Sequence, residues 1–415
     1  MKENKYDSEN RPETLWVVSE LYYPEETSTG YYLTRIAEGL SGEFTVRVLC
    51  GQPNYSARGK KAPKTEVRRG VEIFRAFGTT LDKNVIVFRL INMLTLSFSI
   101  WWKALLKYRK GDRVLVVTTP PSLPFISALA ALFRGAGYYL LIHDNYPEIL
   151  VAAGKTTENS VPVRVLNFLN RWLYKYSSGI IVCGRDMEEL VRQKTAGLDL
   201  PVWVVQNWAE LETVEPLPRD RNKLLAETGL TDKLVFLYAG NMGYPNDVES
   251  LIECAERLVD DPRFAFIFLG AGVKRKWIER RVEKKGLQNV TLLDPRPRRD
   301  QIDFLNAGDV GIVSLVRKMR GVSMPSRTYN ILAAGKPILA LAEPDSEISR
   351  VIEEDRVGWV VAPGDPDTLL KTVLSIYEQR ADLGRLGRNA RQSAVEKYSV
   401  EVALGKLLEI FKKRV

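Results

Sequence analysis

Short apolar runs alternate along most of the chain with stretches in which apolar positions return every three or four residues. The first pattern suits strands buried on both faces, and the second suits helices with one buried stripe. Their alternation predicts an α/β protein built on parallel sheets. Residues 15–21 (LWVVSEL) read as the first strand, 22–30 as a polar, glycine-containing loop and 31–40 as an amphipathic helix. That is the opening of a nucleotide-binding α/β unit. Further strands are expected at 45–49, 71–76, 114–118, 138–142, 180–183 and 202–205. Residues 208–222 (WAELETVEPLPRDRN) carry two prolines and no periodicity, and read as a linker. A second series of strands follows at 234–238, 264–269, 290–292, 310–314, 338–341 and 358–361, with helices over 248–258 and 274–285 among those between. The expected organisation is a first domain over 1–207, the linker at 208–222, a second domain over 223–385 and closing helices over 386–415. Two doubly wound halves in tandem imply a cleft, with ligands at the carboxyl ends of the strands.

Residues 321–337 (GVSMPSRTYNILAAGKP) hold the densest group of candidate ligand contacts. Pro325 fits only near a helix start, and Ser323 or Ser326 is expected to take exposed backbone N–H groups there. Gly335 supplies a left-handed stop and Pro337 prevents continuation. Ser326, Arg327 and Asn330 would then share one face near the positive end of the helix. A hydroxyl, a guanidinium and an amide converging there describe a site for an anionic, hydroxyl-rich ligand.

Composition narrows the classes. At 415 residues the chain is too long for one ordinary core. Hydrophobic residues at 45% with 27% charged are those of a globular enzyme. The formal charge of +9 favours anionic partners. The basic residues are scattered and form no aromatic-interleaved strand or recognition helix, so no nucleic acid is expected. Cys50, Cys183 and Cys254 lie far apart, with neither metal nor disulfide spacing, which suits a reducing compartment. The polar N-terminus lacks an apolar signal core, so a cytoplasmic protein is expected. Residues 90–102 (LINMLTLSFSIWW) are uncharged and flanked by Arg89, Lys103 and Lys107. They fall short of the roughly 20 residues needed to span a bilayer. Two readings stand: a buried helix, or a helix lying on the inner face of an anionic membrane. Gly270-Ala271-Gly272 has Arg275 where a dinucleotide fingerprint needs its third glycine, which argues against a dehydrogenase. Asp365-Pro366-Asp367 reads as a turn and cap rather than a metal triplet, and no required metal or other cofactor is expected.

These segments together resemble the family 4 retaining glycosyltransferases of the GT-B fold, and in particular bacterial enzymes of capsule, exopolysaccharide or O-antigen assembly. The resemblance is carried by TTPPSL at 118–123, HDNYPEIL at 143–150, VVQNWAE at 204–210, YAGNMG at 238–243, FLGAG at 268–272 and MPSRTYNILAAGKPILA at 324–340. It implies two Rossmann-like domains facing across a cleft, with a last helix crossing back to the first. It implies a nucleoside-diphosphate sugar, with uridine diphosphate the first choice, as donor of a hexosyl or N-acetylhexosaminyl unit. The acceptor would be a hydroxyl, with a polyprenyl-diphosphate-linked saccharide suiting the basic apolar segment. A sugar-nucleotide epimerase of the same fold, or an inactive nucleotide-binding scaffold, would share these features.

Residue by residue, the resemblance places Ser326 and Arg327 at the donor, and His143 where it hydrogen-bonds the transferred sugar or a donor phosphate. Asp144 and Glu148 would orient the acceptor, or else cap the next helix. Gly30, after Ser28 and Thr29, would bring backbone close to the phosphates. Asn241 and Gly243 stand where an arginine and a lysine are usual, so their amides would hold the diphosphate at a helix start, and Lys274 would add charge. Pro295 and Arg296 fall on the edge that holds the base, and Gly270 of FLGAG is counted among the donor-binding residues. Asn330 stands where a glutamate usually bonds the ribose, and Val322 where an earlier glutamate is usual.

Overall fold

The computed structural model describes residues 13–54, 61–81 and 85–413. The polar residues 1–12 lie outside these, as do 414–415 at the end of the last expected helix.

The first sheet contains β1 (Thr14–Ser19), β2 (Thr45–Cys50), β3 (Thr65–Arg68), β4 (Val71–Arg75), β5 (Arg113–Val117), β6 (Gly137–Ile142), β7 (Gly179–Val182) and β8 (Val202–Val204). Its order is β3-β4-β2-β1-β5-β6-β7-β8, parallel throughout except between β3 and β4. The apolar runs become its fully buried strands, as parallel packing requires. Edge strand β3 has no counterpart in the sequence reading. Its polar sequence TEVR hides it, and the hairpin to β4 turns through Arg69 and Gly70, both at positive φ (46° and 80°).

The second sheet contains β9 (Leu234–Ala239), β10 (Phe264–Leu269), β11 (Val290–Leu293), β12 (Val310–Ser314), β13 (Ile338–Leu341) and β14 (Gly358–Val361). Its order is β11-β10-β9-β12-β13-β14, and every pair is parallel. Strand order reverses direction between β1 and β5 in one sheet and between β9 and β12 in the other. Those switch points are where doubly wound sheets bind ligands.

Around the first sheet run α1 (Ser28–Leu40), α2 (Ile86–Lys107), α3 (Leu123–Arg134), α4 (Glu148–Ala152), α5 (Val161–Lys175) and α6 (Arg185–Lys194). Around the second run α7 (Lys223–Thr228), α8 (Val248–Arg257), α9 (Arg275–Lys285), α10 (Gln301–Ala307), α11 (Arg327–Ala333), α12 (Glu347–Asp355) and α13 (Pro366–Glu378). Two helices close the chain, α14 (Leu383–Glu396) and α15 (Val400–Lys412). Asp365 caps α13 by accepting from Thr368 N at 2.9 Å, and Asp367 pairs with Arg257, so the acidic triplet is structural.

Helix α15 returns to the first sheet and packs on α1. Phe411 is fully buried there, edge-on to Tyr139 (centroids 5.2 Å) and Phe44 (6.4 Å). Gly39 opens the space that Leu404 fills. Helix α2, which contains 90–102, is buried on one face and exposed on another. It buries Leu96, Ile100 and Ala104 and leaves Leu90, Leu94, Phe98 and Trp102 exposed. Among the described residues no helix is long and apolar enough to cross a membrane.

Candidate functional site

The carboxyl ends of the two sheets face one another, and between them lies a cavity of about 280 Å³. Ser28 and Thr29 at the start of α1 and His143 and Asp144 at the exit of β6 form one wall. Asn241 and Asn246 after β9, with residues 323–326 before α11 and Arg327 at its start, form the other. The walls are joined. Asp144 and Ser323 form an antiparallel bridge, Asn145 N donates to Val322 O at 2.8 Å, and Asn145 Nδ2 donates to Gly321 O at 2.7 Å. Asp186 of α6 accepts from Gly321 N at 2.9 Å on the same seam.

Arg327 is the cationic group of the cavity. Its guanidinium carbon lies 4.7 Å from the Tyr238 ring centroid, and Nη2 donates to Asn246 Oδ1 at 3.3 Å. Nη1 is buried with no hydrogen-bond partner, and no carboxylate among the described residues pairs with the side chain. The residue as a whole is half-buried, but a buried, unpartnered N–H group is costly unless a ligand completes it. Gly240, at φ +150°, makes room for it, since a Cβ there would stand 2.9 Å from Arg327 Cζ. Gly240 was not singled out in the sequence, although it directly follows the β9 apolar run. Ser326 precedes α11 in a helical conformation (φ −63°, ψ −22°) and caps nothing, contrary to expectation, so its hydroxyl is left for the cavity.

Opposite Arg327, His143 is held neutral, because burial pushes its pKa down to about 4. A neutral imidazole carries one donor and one acceptor. Burial raises the Asp144 carboxyl above its ordinary value, offset in part by a hydrogen bond from Ser323. The cavity thus pairs a neutral donor and a carboxyl on one wall with an unpaired cation on the other.

A curated relative, the glycosyltransferase WbjE of Pseudomonas aeruginosa, is 31% identical over 392 residues, covering 94% of this chain and 96% of its own length. The chain belongs to the glycosyltransferase group 1 family. The family model "Glycosyl transferases group 1" matches residues 220–393, which contain β9 to β14 and Arg327. WcaI of Escherichia coli (strain K12), a colanic acid biosynthesis glycosyl transferase by name, is 26% identical over 350 residues, covering 80% of this chain and 84% of its own. Among solved structures, sucrose-phosphate synthase from Thermosynechococcus elongatus superposes with a TM-score of 0.78 at 14% identity, covering 96% of this chain and 98% of its own. Anabaena Alr3699/HepE, solved in complex with UDP and glucose, gives 0.71 at 14% identity, covering 97% and 100%. The two facing parallel-sheet domains and the returning helix are the GT-B architecture.

Several other expected contacts of this glycosyltransferase are spent elsewhere. Asn330 does not share a face with Arg327 toward the cavity. It is buried, donates from Nδ2 to Glu210 Oε1 (2.7 Å) and Gln301 Oε1 (2.8 Å), and accepts from Glu210 N (2.9 Å). Arg298 grips the same Glu210 carboxylate through two nitrogens and lies 3.7 Å from the Tyr31 ring centroid. Helix periodicity placed Asn330 one turn from Arg327 but could not show that a linker residue meets it.

Lys274 Nζ donates to Asn246 O (2.7 Å) and Glu249 Oε2 (2.9 Å), so its charge is already paired. The loop with Asn241 and Gly243 does not open α8 directly. That helix starts at Val248, and its N-terminus is taken by the Asp247 carboxylate, which accepts from Ser250 N at 3.1 Å. Asn241 itself does line the cavity. Gly270, at φ +145°, lets its loop pack against Gly240 O, which a Cβ would strike. Gly30 N donates to Thr27 Oγ1 at 3.3 Å, and a Cβ at this position would lie 2.8 Å from Glu25 O, so this glycine shapes the turn. Glu148 pairs with Lys194 at 2.8 Å. Pro295 and Arg296 follow edge strand β11 outside the cavity lining, with Arg296 3.3 Å from Glu227.

Proposed function

We propose that this enzyme transfers a hexosyl or N-acetylhexosaminyl unit from a nucleoside-diphosphate sugar to an acceptor hydroxyl with retention of the anomeric configuration. The observation that carries the reading is Arg327, a half-buried side chain at the cavity whose guanidinium Nη1 is buried and unpartnered. A diphosphate leaving group needs such a charge as its own negative charge grows. Uridine diphosphate is the donor nucleotide by analogy with the UDP-bound structure of similar fold. The Ser326 hydroxyl and the Asn241 amide are further donors for the phosphates, and neutral His143 hydrogen-bonds the sugar from the opposite wall. The acceptor hydroxyl attacks the anomeric carbon on the face the phosphate leaves. The departing phosphate oxygen takes the hydroxyl proton as the new glycosidic bond forms, so the proton transfer needs no protein base.

The acceptor enters from the first domain, where a cavity of about 630 Å³ is lined by Glu20, Gln52, Asn54, Thr79 and Asn92. Gln52, Asn54 and Asn92 are already hydrogen-bonded to Ala62, Glu20 and Leu81, so they shape a polar wall whose size suits a saccharide. Helix α2 walls the same cavity, and its exposed apolar side suits a polyprenyl-diphosphate-linked acceptor at the inner face of the membrane. The similarity to WcaI, named for colanic acid biosynthesis, supports a place in polysaccharide synthesis.

Replacing Arg327 by alanine is expected to lower turnover by roughly a hundredfold or more, the cost of one charge-stabilising donor. Turnover with UDP-sugars and lipid-linked acceptors, read by mass spectrometry, checks this, and unaltered activity would remove Arg327 from the site. The same reaction run without acceptor separates transfer from epimerisation, which would convert the free sugar nucleotide.

A further inference from the structure

Helices α2, α3 and α5 follow crossovers that run in the same direction along the first sheet, from β4 to β5, β5 to β6 and β6 to β7. Right-handed connections therefore place all three on one face. They form a layer, α2 against α3 and α3 against α5. The outer side of that layer is bare. On α2, Leu94, Phe98, Trp102 and Leu106 follow one another at four-residue spacing and are 55%, 65%, 53% and 68% exposed. Phe133 on α3 is 80% exposed and Phe168 on α5 is 74% exposed. A run of apolar side chains across three helices is far beyond the scattered exposure of an ordinary surface.

Charge says what covers it. The three helices contain no aspartate or glutamate and seven lysines or arginines, in a chain with 51 acidic residues. Arg89, Lys103, Arg164 and Arg171 have no carboxylate partner among the described residues. A basic, acid-free rim around aromatic and aliphatic side chains matches a surface that is anionic outside and apolar beneath. A second copy of the chain meeting this face with its own would bring like charges together.

Helix α2 is also a wall of the larger first-domain cavity. Arg89 and Leu90, both exposed, line that cavity and also lie at one end of the apolar side of the helix. We propose that α2, α3 and α5 are a single docking face for an anionic bilayer, and that this face sets the first-domain cavity at the membrane surface with Arg89 at the point of entry. The aromatics of all three helices insert at the headgroup level, and the four unpaired cations rest on lipid phosphates. The acceptor is drawn from the bilayer past Arg89, so docking and acceptor capture are one event. The second half of this statement rests on the lipid-linked acceptor proposed above; the docking half does not.

The test uses the full chain with vesicles of phosphatidylcholine, with and without phosphatidylglycerol. Wild type is expected to co-sediment with the anionic vesicles and at least about tenfold less with the neutral ones, each basic residue near the surface counting for about fivefold. The exposed pair Phe133→Ser with Phe168→Ser lies off α2 and away from the cavity, and should weaken anionic-vesicle binding at least about tenfold while leaving the melting temperature alone. These variants should raise KM for an acceptor embedded in vesicles and leave turnover of a short-chain, water-soluble acceptor unchanged. Binding by the paired variant equal to that of wild type, or no vesicle binding by wild type, overturns the docking face. A concentration-dependent dimer abolished by the same pair, without vesicle binding, assigns the face to self-association instead. If vesicle binding behaves as expected but no acceptor receives sugar, the transferase reading fails and the docking face stands.

Discussion

Arg327 fits at the cavity only because its neighbours give way to it. Gly240 sits at φ +150°, a conformation closed to side-chain-bearing residues, and its missing Cβ is the space occupied by the guanidinium. Gly240→Ala should therefore cost about 1–3 kcal/mol of stability from backbone strain. It should also lower turnover by tenfold or more by displacing the charge, since misplacement by about an ångström has effects of this size. Thermal denaturation and initial rates measure both. Normal turnover in a folded variant would show that Gly240 does not place Arg327.

His143 makes a different prediction. Its folded pKa, about 4, lies below the ordinary 6.5, so the unfolded chain binds a proton that the fold refuses. Stability contributed by the neutral ring is present above 6.5 and is lost as pH falls from 6.5 toward 4. Asp144, raised by burial, acts in the opposite sense, with a contribution that falls as pH rises through its own titration. The His143→Gln variant keeps Asp144 and isolates the histidine. Urea midpoints of wild type and variant should differ by a constant amount near neutrality, and wild type should lose ground to the variant below pH 6.5. Parallel curves down to pH 4 would mean that the ring is not held neutral.

Among the elements, α11 shows best how a correct assignment can carry a wrong contact. The glycine stop is as expected, with Gly335 at φ +65° and its N–H donating to Leu332 O at 2.9 Å. Yet Asn330 faces the interdomain connection, where its amide exchanges two hydrogen bonds with Glu210. Asn330→Asp keeps the shape, removes the donor and sets a second carboxylate against Glu210. The expected loss is about 2–4 kcal/mol, the range for an uncompensated buried charge. Chemical denaturation measures it. An unchanged midpoint would place Asn330 outside this network. Arg298, clasping Glu210 beside Tyr31 of α1, extends the same network from the second domain to the first. Helix α11 is thereby tied to both domains and the connection between them.

Across the whole molecule, the cleft exists because α15 and the seam at Asn145 and Asp186 bind the two sheets together. Arg391 of α14 donates from Nη1 to Val214 O (2.9 Å) and to Ala333 O (2.8 Å), linking the connection to the end of α11. Phe411 anchors the far end between Tyr139 and Phe44. Phe411→Ala should cost about 3–5 kcal/mol, as for a large buried side chain, and should loosen the domains. A lowered midpoint in denaturant together with new proteolytic sensitivity near residue 400 is the expected result. Equal stability would mean that the returning helix does not hold the domains.

The sequence by itself determined the strands, most helices, their parallel arrangement and the order of the two halves. Burial on both faces of a parallel strand demands an unbroken apolar run, and a helix with one buried stripe demands its period, so both are written locally. Polar edge strand β3 escaped because an exposed edge makes no such demand. The helix stop at Gly335 and the cap at Asp365 were legible for the same reason, as each depends on a few adjacent residues. Only the tertiary structure decided which polar groups reach the cavity. His143 and Arg327 stand nearly two hundred positions apart and line one cavity because two sheets meet. Lys274, Glu148 and Asn330 looked equally available in sequence and were claimed by Glu249, Lys194 and Glu210. A side chain is free for a ligand only when no nearer partner satisfies it. That is a property of packing between distant segments, on which local periodicity is silent.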